Sequence, residues 1–427
     1  MTPKDCDARR AAVDVVSRLQ SAGHQAVWAG GCVRDPLLNL APKDYDVATN
    51  ATPARIRELY PKSREVGAQF GVMLVRRWGW DIEVATFRAD GAYSDGRHPD
   101  EVRFGTMEED ARRRDFTING VFYDPITDRV IDLVGGCADL RAGVIRTIGD
   151  PQQRFQEDHL RLIRAVRFSA RLGFSIEEST RKAMRELAAE LGTVSPERIW
   201  QELERILIHP SRAAAWSIFV EAGLLPFLCG AFQTGNDENE RIGRRLAGLP
   251  NKDIRASLGL AALLFSLLPD AAERICKALR LSNRLTQAVV YLVRSASVVL
   301  AATDLELADL KSLMANENWG DLLSLVEADL RTGGQSTAEL ERIQRRAACI
   351  QPGDVSPQAF LSGEDLKGLG LVPGPQFGEV VDLLYRAQLN EIIRSREEAL
   401  DQAAEIIRRL PEPPPRLRSG HARPRSE

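Results

Sequence analysis

Two hydrophobic patterns divide this chain. Between about residues 25 and 135, short segments rich in β-branched and aromatic side chains (27–29, 45–49, 71–77, 81–86 and 118–123) alternate with glycine, proline and charge. That pattern predicts the strands of a mixed α/β unit. Thr52-Pro53 sets a capping hydroxyl before a proline whose fixed φ suits a first helical turn, so a helix is expected to begin there. From Pro151 onward the strand signals vanish, and long stretches of Ala, Leu, Arg and Glu predict helices. Ser195-Pro196-Glu197 reads as the opening of one of them. The helical part runs to about Leu410, with breaks near 230–236, 248–251 and 351–357, and the apolar run 258–268 suits a buried helix. Residues 411–427 are rich in proline and arginine and predict a disordered tail. The run 87–98 reads as a long mobile loop.

Composition narrows the class. A length of 427 residues suggests about three domains. The formal charge of −3 gives no global electrostatic attraction for nucleic acid, so any such contact rests on local basic patches. The cysteines (Cys6, Cys32, Cys137, Cys229, Cys276, Cys349) form no C-x-x-C pair and read as reduced thiols. The charged N-terminus shows no secretory pattern, and no uninterrupted apolar run reaches the roughly 18 residues of a membrane span. A cytoplasmic protein is expected.

The candidate chemistry is concentrated early. A short apolar strand ends in Gly30-Gly31, where bare backbone can approach a phosphate, and Arg34 follows within one helical turn. Asp44 and Asp46 alternate along the next strand, so both carboxylates leave one face of the sheet. Two hard oxygen donors beside a phosphate-binding turn describe a site for Mg²⁺ and a nucleoside triphosphate. A third carboxylate is expected on a neighbouring strand, where Glu83 alternates correctly and Asp81 shares its face. Farther on, steps of three would put Asp158, Arg161, Arg164 and Arg167 along one side of a helix. A solvated charged face explains that spacing equally well. The histidines (His24, His98, His159, His209, His421) show no metal-ligand spacing and read as surface or packing residues.

The form G-G-x-V-R-D followed by D-x-D resembles the head motif of polymerase-β-like nucleotidyltransferases, in particular the class II tRNA nucleotidyltransferases (CCA-adding enzymes) and the bacterial poly(A) polymerases. Arg113-Arg114-Asp115 is similar to that family's R-R-D motif, credited with ribose recognition, and 131–140 to its hinge motif. Glu157-Asp158-His159-Leu160-Arg161 resembles the E-D-x-x-R motif that acts as a protein template for the incoming base, and 201–207 the last, helix-stabilising motif.

The resemblance implies an α+β protein: a nucleotidyltransferase head of mixed sheet and helices (1–140), a helical neck for base recognition and RNA binding (141–230), a helical body and tail for tRNA (231–410), then the tail 411–427. It implies addition of CCA to tRNA from CTP and ATP with Mg²⁺. Asp44, Asp46 and Glu83 would be catalytic, Asp44 and Asp46 holding metal. Gly31, Arg34, Arg114, Asp115, Asp158, Arg161, Arg164 and Arg167 would bind nucleotide. Arg88 is carried over with a loop that aids the switch to ATP. Arginines at 241, 244, 245, 342, 345 and 346 suit either phosphate contacts or exposed helix faces.

The template logic is chemical. A carboxylate accepts from the exocyclic amine of cytosine or adenine while an arginine donates to the adjacent ring nitrogen. Guanine and uracil oppose the carboxylate with a carbonyl, and a good pair discriminates by ~1–3 kcal/mol. Rival readings are a poly(A) polymerase, a partial CC-adding or A-adding enzyme, an aminoglycoside-type nucleotidyltransferase and a catalytically dead RNA-binding protein. The intact D-x-D argues against the last, since paired acids repel RNA unless metal neutralises them.

Overall fold

The computed structural model describes residues 3–66, 71–90, 102–228, 235–301, 304–372 and 374–410. They form two compact units, 1–293 and 294–427.

The first unit is built on a seven-stranded sheet. Its strands are β1 (Ala26–Ala29), β2 (Asp46–Thr49), β3 (Arg64–Glu65), β4 (Val72–Arg77), β5 (Trp80–Thr86) and, after a separate ribbon of β6 (Arg88–Asp90) and β7 (Val102–Phe104), β8 (Val121–Asp124) and β9 (Arg129–Asp132). The order across the sheet is β3-β4-β5-β2-β1-β8-β9. β1 lies between β2 and β8, antiparallel to both, while β2 and β5 run parallel. All four β1 residues are buried, as its uninterrupted apolar sequence requires.

Strand parity separates structure from chemistry. One face carries Trp28, Tyr45, Val47, Met73, Val75, Ile82 and Val84, packed under Ala11, Ala12, Val15, Val16 and Leu19 of α1 (Pro3–Ser21). The spacing of those α1 residues is the apolar stripe of an amphipathic helix. The opposite face carries Val27, Ala29, Ala48, Phe87 and Phe122, against Ala111. Asp44 and Asp46 share the parity of Ala48 and so stand away from α1.

Helices α2 (Gly31–Leu37), α3 (Pro53–Leu59), α4 (Met107–Arg112) and α5 (Gly136–Ala142) connect the strands. α3 starts as expected, with the Thr52 hydroxyl accepting from the Arg55 amide. The remaining helices of this unit are α6 (Pro151–Glu157), α7 (Arg161–Leu172), α8 (Glu178–Glu186), α9 (Pro196–Leu207), α10 (Arg212–Glu221), α11 (Leu225–Leu228), α12 (Asn236–Gly248), α13 (Ala256–Leu264), α14 (Pro269–Ala278) and α15 (Asn283–Ala301), which extends beyond residue 293. The apolar run is buried from Ser257 to Leu264 within α13. Among the described residues α15 alone has the length and hydropathy to cross a membrane; it carries Arg284 and Arg294 and buries Val289, Leu292 and Ala296. Among its described residues the second unit has helices only, the last being Arg396–Arg409, with a core of Leu366, Leu371, Val380, Leu384, Ile393 and Ala403.

Several local expectations are corrected. Residues 117–119 form a 3-10 turn, not strand, closed by the Asn119 and Gly120 amides donating to the Phe116 and Thr117 carbonyls. Phe87 is fully buried and Arg88–Asp90 pairs with Val102–Phe104, so the run 87–98 begins as core and ribbon; 91–101 lie outside the described residues. A parallel pair joins β10 (Val144–Ile145), just before Pro151, to β11 (Ser175–Ile176), a short strand among the helices after it. α9 begins at Pro196, but the Ser195 side chain makes no capping bond. The tail 411–427 lies outside the described residues.

Gly136 opens α5 where the chain leaves the sheet. A Cβ there would overlap the Thr117 carbonyl and lie 2.6 Å from Val121 Cγ2. Gly136→Ala is therefore expected to destabilise the protein by ~1–3 kcal/mol, the cost of overpacking a tight site. A urea midpoint equal to wild type would contradict this.

Candidate active site

β2 starts at Asp46, and Asp44 lies two residues before it on the exposed approach to the strand. Glu83 on β5 is the register partner of Asp46. Burial first, then the charges of Asp44 and Glu83, push the Asp46 carboxyl up to about 7, with Arg114 opposing. The site thus holds more negative charge than its surroundings neutralise. Among the described residues no three acidic, His or Cys side chains close into a ready metal cage, so Glu83 does not complete one. Mg²⁺ is ordinarily held by one or two carboxylates together with substrate phosphates, and Asp44 with Asp46 fits that mode.

Gly30 connects this pair to the adjoining cavity. It has φ +75°, and a Cβ there would sit 3.7 Å from Arg114 Nη1 and 4.0 Å from Asp46 Oδ2. The cavity, about 410 Å³, is within the range of small-ligand sites. Its lining brings together most of the expected residues: Gly31, Arg34, Arg114, Asp115, Asp158, Arg161 and Arg164, with Arg88 and Phe168.

Their hydrogen bonds show how each is held. Arg34 is buried, donating from Nε (2.7 Å) and Nη2 (2.5 Å) to Asp35 and from Nη1 to Asn119 Oδ1 at 2.7 Å. Arg114 donates from Nε and Nη2 to Asp110 and from Nη1 to the Asn119 carbonyl at 3.2 Å. Each guanidinium keeps two N–H groups outside these bonds. Asp115 differs. Its Oδ1 accepts from the Phe116 amide and Asn119 Nδ2, and its Oδ2 accepts twice from Arg164, at 2.9 and 2.6 Å. All four of its acceptor positions are engaged. Burial alone would raise its carboxyl; Arg164 and these hydrogen bonds bring it down to about 2.

The pair expected to read the base also departs from expectation in detail. Asp158 is extended, φ −154°, and α7 begins only at Arg161, so the four residues do not share one helix. The cause is local: Asp158 Oδ1 accepts from the Leu160 amide at 3.1 Å, a competing turn that separates α6 from α7. Asp158 Oδ2 accepts from Arg198 of α9 at 2.9 Å. Arg161 is fixed by Nη1 to Glu157 and the Arg154 carbonyl, both 2.8 Å, and by Nη2 to the Arg113 carbonyl at 3.2 Å. Its Nε and one Nη2 hydrogen stay available, as does a lone pair on each Asp158 oxygen.

Arg167 does not line this cavity. It lies one step along α7 from Arg164, donates at 2.5 Å to Glu202, which Arg164 also meets, and lines a second cavity. Asp110 and Arg198 escaped the sequence reading. Asp110 was accessible to it, since Arg113 and Arg114 lie three and four residues on. Arg198 approaches Asp158 from 40 residues away, with no local signal.

The arginines farther along divide between buried and surface contacts. Arg245 is buried, donating to the Ala262 carbonyl and lying over the Phe265 ring, and Arg342 and Arg346 pair with Asp304.

Comparison with known proteins gives a consistent likeness. Residues 26–146 match the family described as Poly A polymerase head domain, and 173–231 match the probable RNA and SrmB- binding site of polymerase A. The chain is 32% identical over 400 residues to the CCA-adding enzyme of Geobacillus sp. (strain WCH70), covering 92% of this chain and 95% of that one. It is 33% identical over 396 residues to the CCA-adding enzyme of Geobacillus thermodenitrificans (strain NG80-2), covering 91% and 95%. The crystal structure of the Bacillus stearothermophilus CCA-adding enzyme in complex with CTP superposes with a TM-score of 0.76 at 29% identity, covering 96% and 98%.

Proposed function

The chain belongs to the CCA-adding enzyme family, and from that premise we propose how its residues divide the work of adding C, C and A to tRNA 3′ ends from CTP and ATP. The observation that carries the reading is one cavity in which Asp158 and Arg161 converge with the arginines beside Gly30, itself 4.0 Å from the Asp46 carboxylate by its would-be Cβ.

Residues 1–140 form the catalytic head and 141–230 the neck that reads the base. Arg34 and Arg114 bind the triphosphate with their remaining N–H groups, and the Gly31 backbone permits its close approach. Asp158 accepts from the exocyclic amine shared by cytosine and adenine, while Arg161 donates to the neighbouring ring nitrogen. Arg198 and Glu157 keep those two side chains aimed. Asp115, with every acceptor engaged, positions Arg164 and does not meet the ribose itself.

The terminal 3′-hydroxyl oxygen of the RNA bonds to the α-phosphorus, the α–β bridging P–O bond breaks, pyrophosphate leaves, and the hydroxyl proton passes to solvent. Asp44 and Asp46 would hold Mg²⁺, which when bound stabilises charge on the entering and leaving oxygens. Free thiols at Cys32, Cys137, Cys276 and Cys349 suit the cytoplasm, where tRNA is the abundant acceptor.

Transcripts of tRNA ending before, within and after CCA, given each labelled nucleotide singly and together, test this directly. The expected result is addition that stops at CCA. Long A tails on unrelated RNA would indicate a poly(A) polymerase instead, and incorporation of only C or only A a partial enzyme.

A further inference from the structure

α7 also borders a second cavity. It measures about 400 Å³, and its lining includes Lys43, Asp44, Arg167, Arg171, Arg205 and His209. We propose that this cavity holds the terminal phosphodiester of the RNA strand being extended, with Lys43, Arg171, Arg205 and His209 as its phosphate contacts. The proposal rests on the function given above.

Placement is the first argument. Arg161, Arg164 and Phe168 of α7 line the nucleotide cavity, whereas Arg167, Ala170 and Arg171 line this one. The two polar spaces adjoin along the helix: Arg164 and Arg167 share the Glu202 carboxylate, and Asp35 joins Arg34 of the first to Arg171 of the second. The D-x-D pair borders both cavities: Asp44 lines the second, while Asp46 lies by Gly30 and Arg114 of the first. A reaction that joins an α-phosphate to a strand terminus needs its two substrates on either side of such a pair.

Charge is the second. The arginines here are anchored without being neutralised, because each buried carboxylate is shared. Glu202, 2% exposed, accepts from Arg164, Arg167 and Arg205 at 3.3, 2.5 and 3.0 Å. Asp35, 3% exposed, accepts from Arg34 and from Arg171 at 3.0 Å. The result is a rigid surplus of positive charge, which suits a phosphodiester.

His209 supplies the third. Its Nδ1 accepts from the Ser211 amide at 3.2 Å and lies 2.8 Å from the Ser211 hydroxyl. An Nδ1 held as acceptor puts the ring proton on Nε2, making that atom a donor even when the ring is neutral. Neutrality is favoured here: burial, then Arg171, Lys43 and Arg212, lower its proton affinity. A neutral donor at the rim of a cationic cavity binds phosphate without adding to the repulsion already present.

The test is a Lys43→Gln/Arg205→Gln double variant, with His209→Ala and His209→Gln, leaving Glu202 and Asp35 intact because removing either strands buried guanidinia. For tRNA ending before CCA, kcat/KM of the double variant should fall about tenfold or more, while CTP dissociation measured by calorimetry stays within about twofold of wild type. The slope of log KM for tRNA against log salt should become shallower by about 0.7 per lost contact, the single-strand value. His209→Gln, which keeps a donor, should retain more activity than His209→Ala. An unchanged tRNA KM and salt slope in the double variant would overturn the proposal, as would a matching loss of CTP affinity. If wild-type protein adds nothing to tRNA, the functional reading itself fails; variants indistinguishable from an active wild type defeat this proposal alone.

Discussion

Asp46→Asn is expected to cut nucleotide transfer by at least ~10³-fold while the protein remains folded and, without divalent cation, gains stability at pH 8. The catalytic loss follows from removing a hard anionic donor where charge develops on the entering and leaving oxygens, among the largest single terms in phosphoryl transfer. The gain in stability follows from the electrostatics. The carboxyl titrates near 3.8 in an unfolded chain and is pushed up to about 7 when folded, by burial and by Asp44 and Glu83. A raised acid binds its proton more tightly in the native state, so stability falls as pH rises from about 4 to about 7. Above that window the wild-type charge opposes folding in full; below it the penalty is gone. Thermal unfolding of both proteins in chelator at pH 4 and pH 8 should therefore show the asparagine variant more stable only at the higher pH. Added Mg²⁺ should raise the wild-type midpoint and leave the variant nearly unmoved. Full turnover by the variant would remove the basis of the mechanism.

How much of this was legible beforehand depends on the range of the interactions. Asp44 and Asp46 were readable because strand parity is a local rule, and β2 obeys it: Tyr45 and Val47 pack under α1 while the carboxylates take the other face. Gly30 was readable because the turn between strand and helix takes a positive φ, +75°, that favours glycine. The face drawn through Asp158, Arg161, Arg164 and Arg167 failed. A helical period does not register that an Asp carboxylate can capture a backbone amide two residues on and end one helix before the next begins. Asp115 looked like a ligand contact because its controlling partner, Arg164, arrives from 49 residues away. Glu202 sat inside a motif read as helix-stabilising, yet it organises three arginines from two helices. Residue type revealed which groups carry charge, but long-range pairing decides which of them remain available to a ligand.

That distinction governs the second large effect, on base choice. Asp158→Ala should lower kcat/KM for CTP and ATP by roughly 5- to 150-fold, the equivalent of ~1–3 kcal/mol of base discrimination, with little loss for UTP and GTP. The change frees two partners, the partly exposed Arg198 and the Leu160 amide, so some stability is lost at the α6–α7 turn while the protein stays folded. Arg198→Ala acts differently. Arg198 meets Asp158 at 2.9 Å and does not itself line the nucleotide cavity, so its loss loosens the carboxylate without deleting it. KM for CTP and ATP should then rise together while the preference over UTP and GTP largely persists, and Arg198→Lys should restore part of the affinity. Single-turnover incorporation of each of the four nucleotides onto tRNA lacking CCA separates the two behaviours. If Asp158→Ala keeps the wild-type preference for C and A, the base edge is read elsewhere. If Arg198→Ala abolishes the preference as completely as Asp158→Ala, Arg198 touches the base and is more than a support.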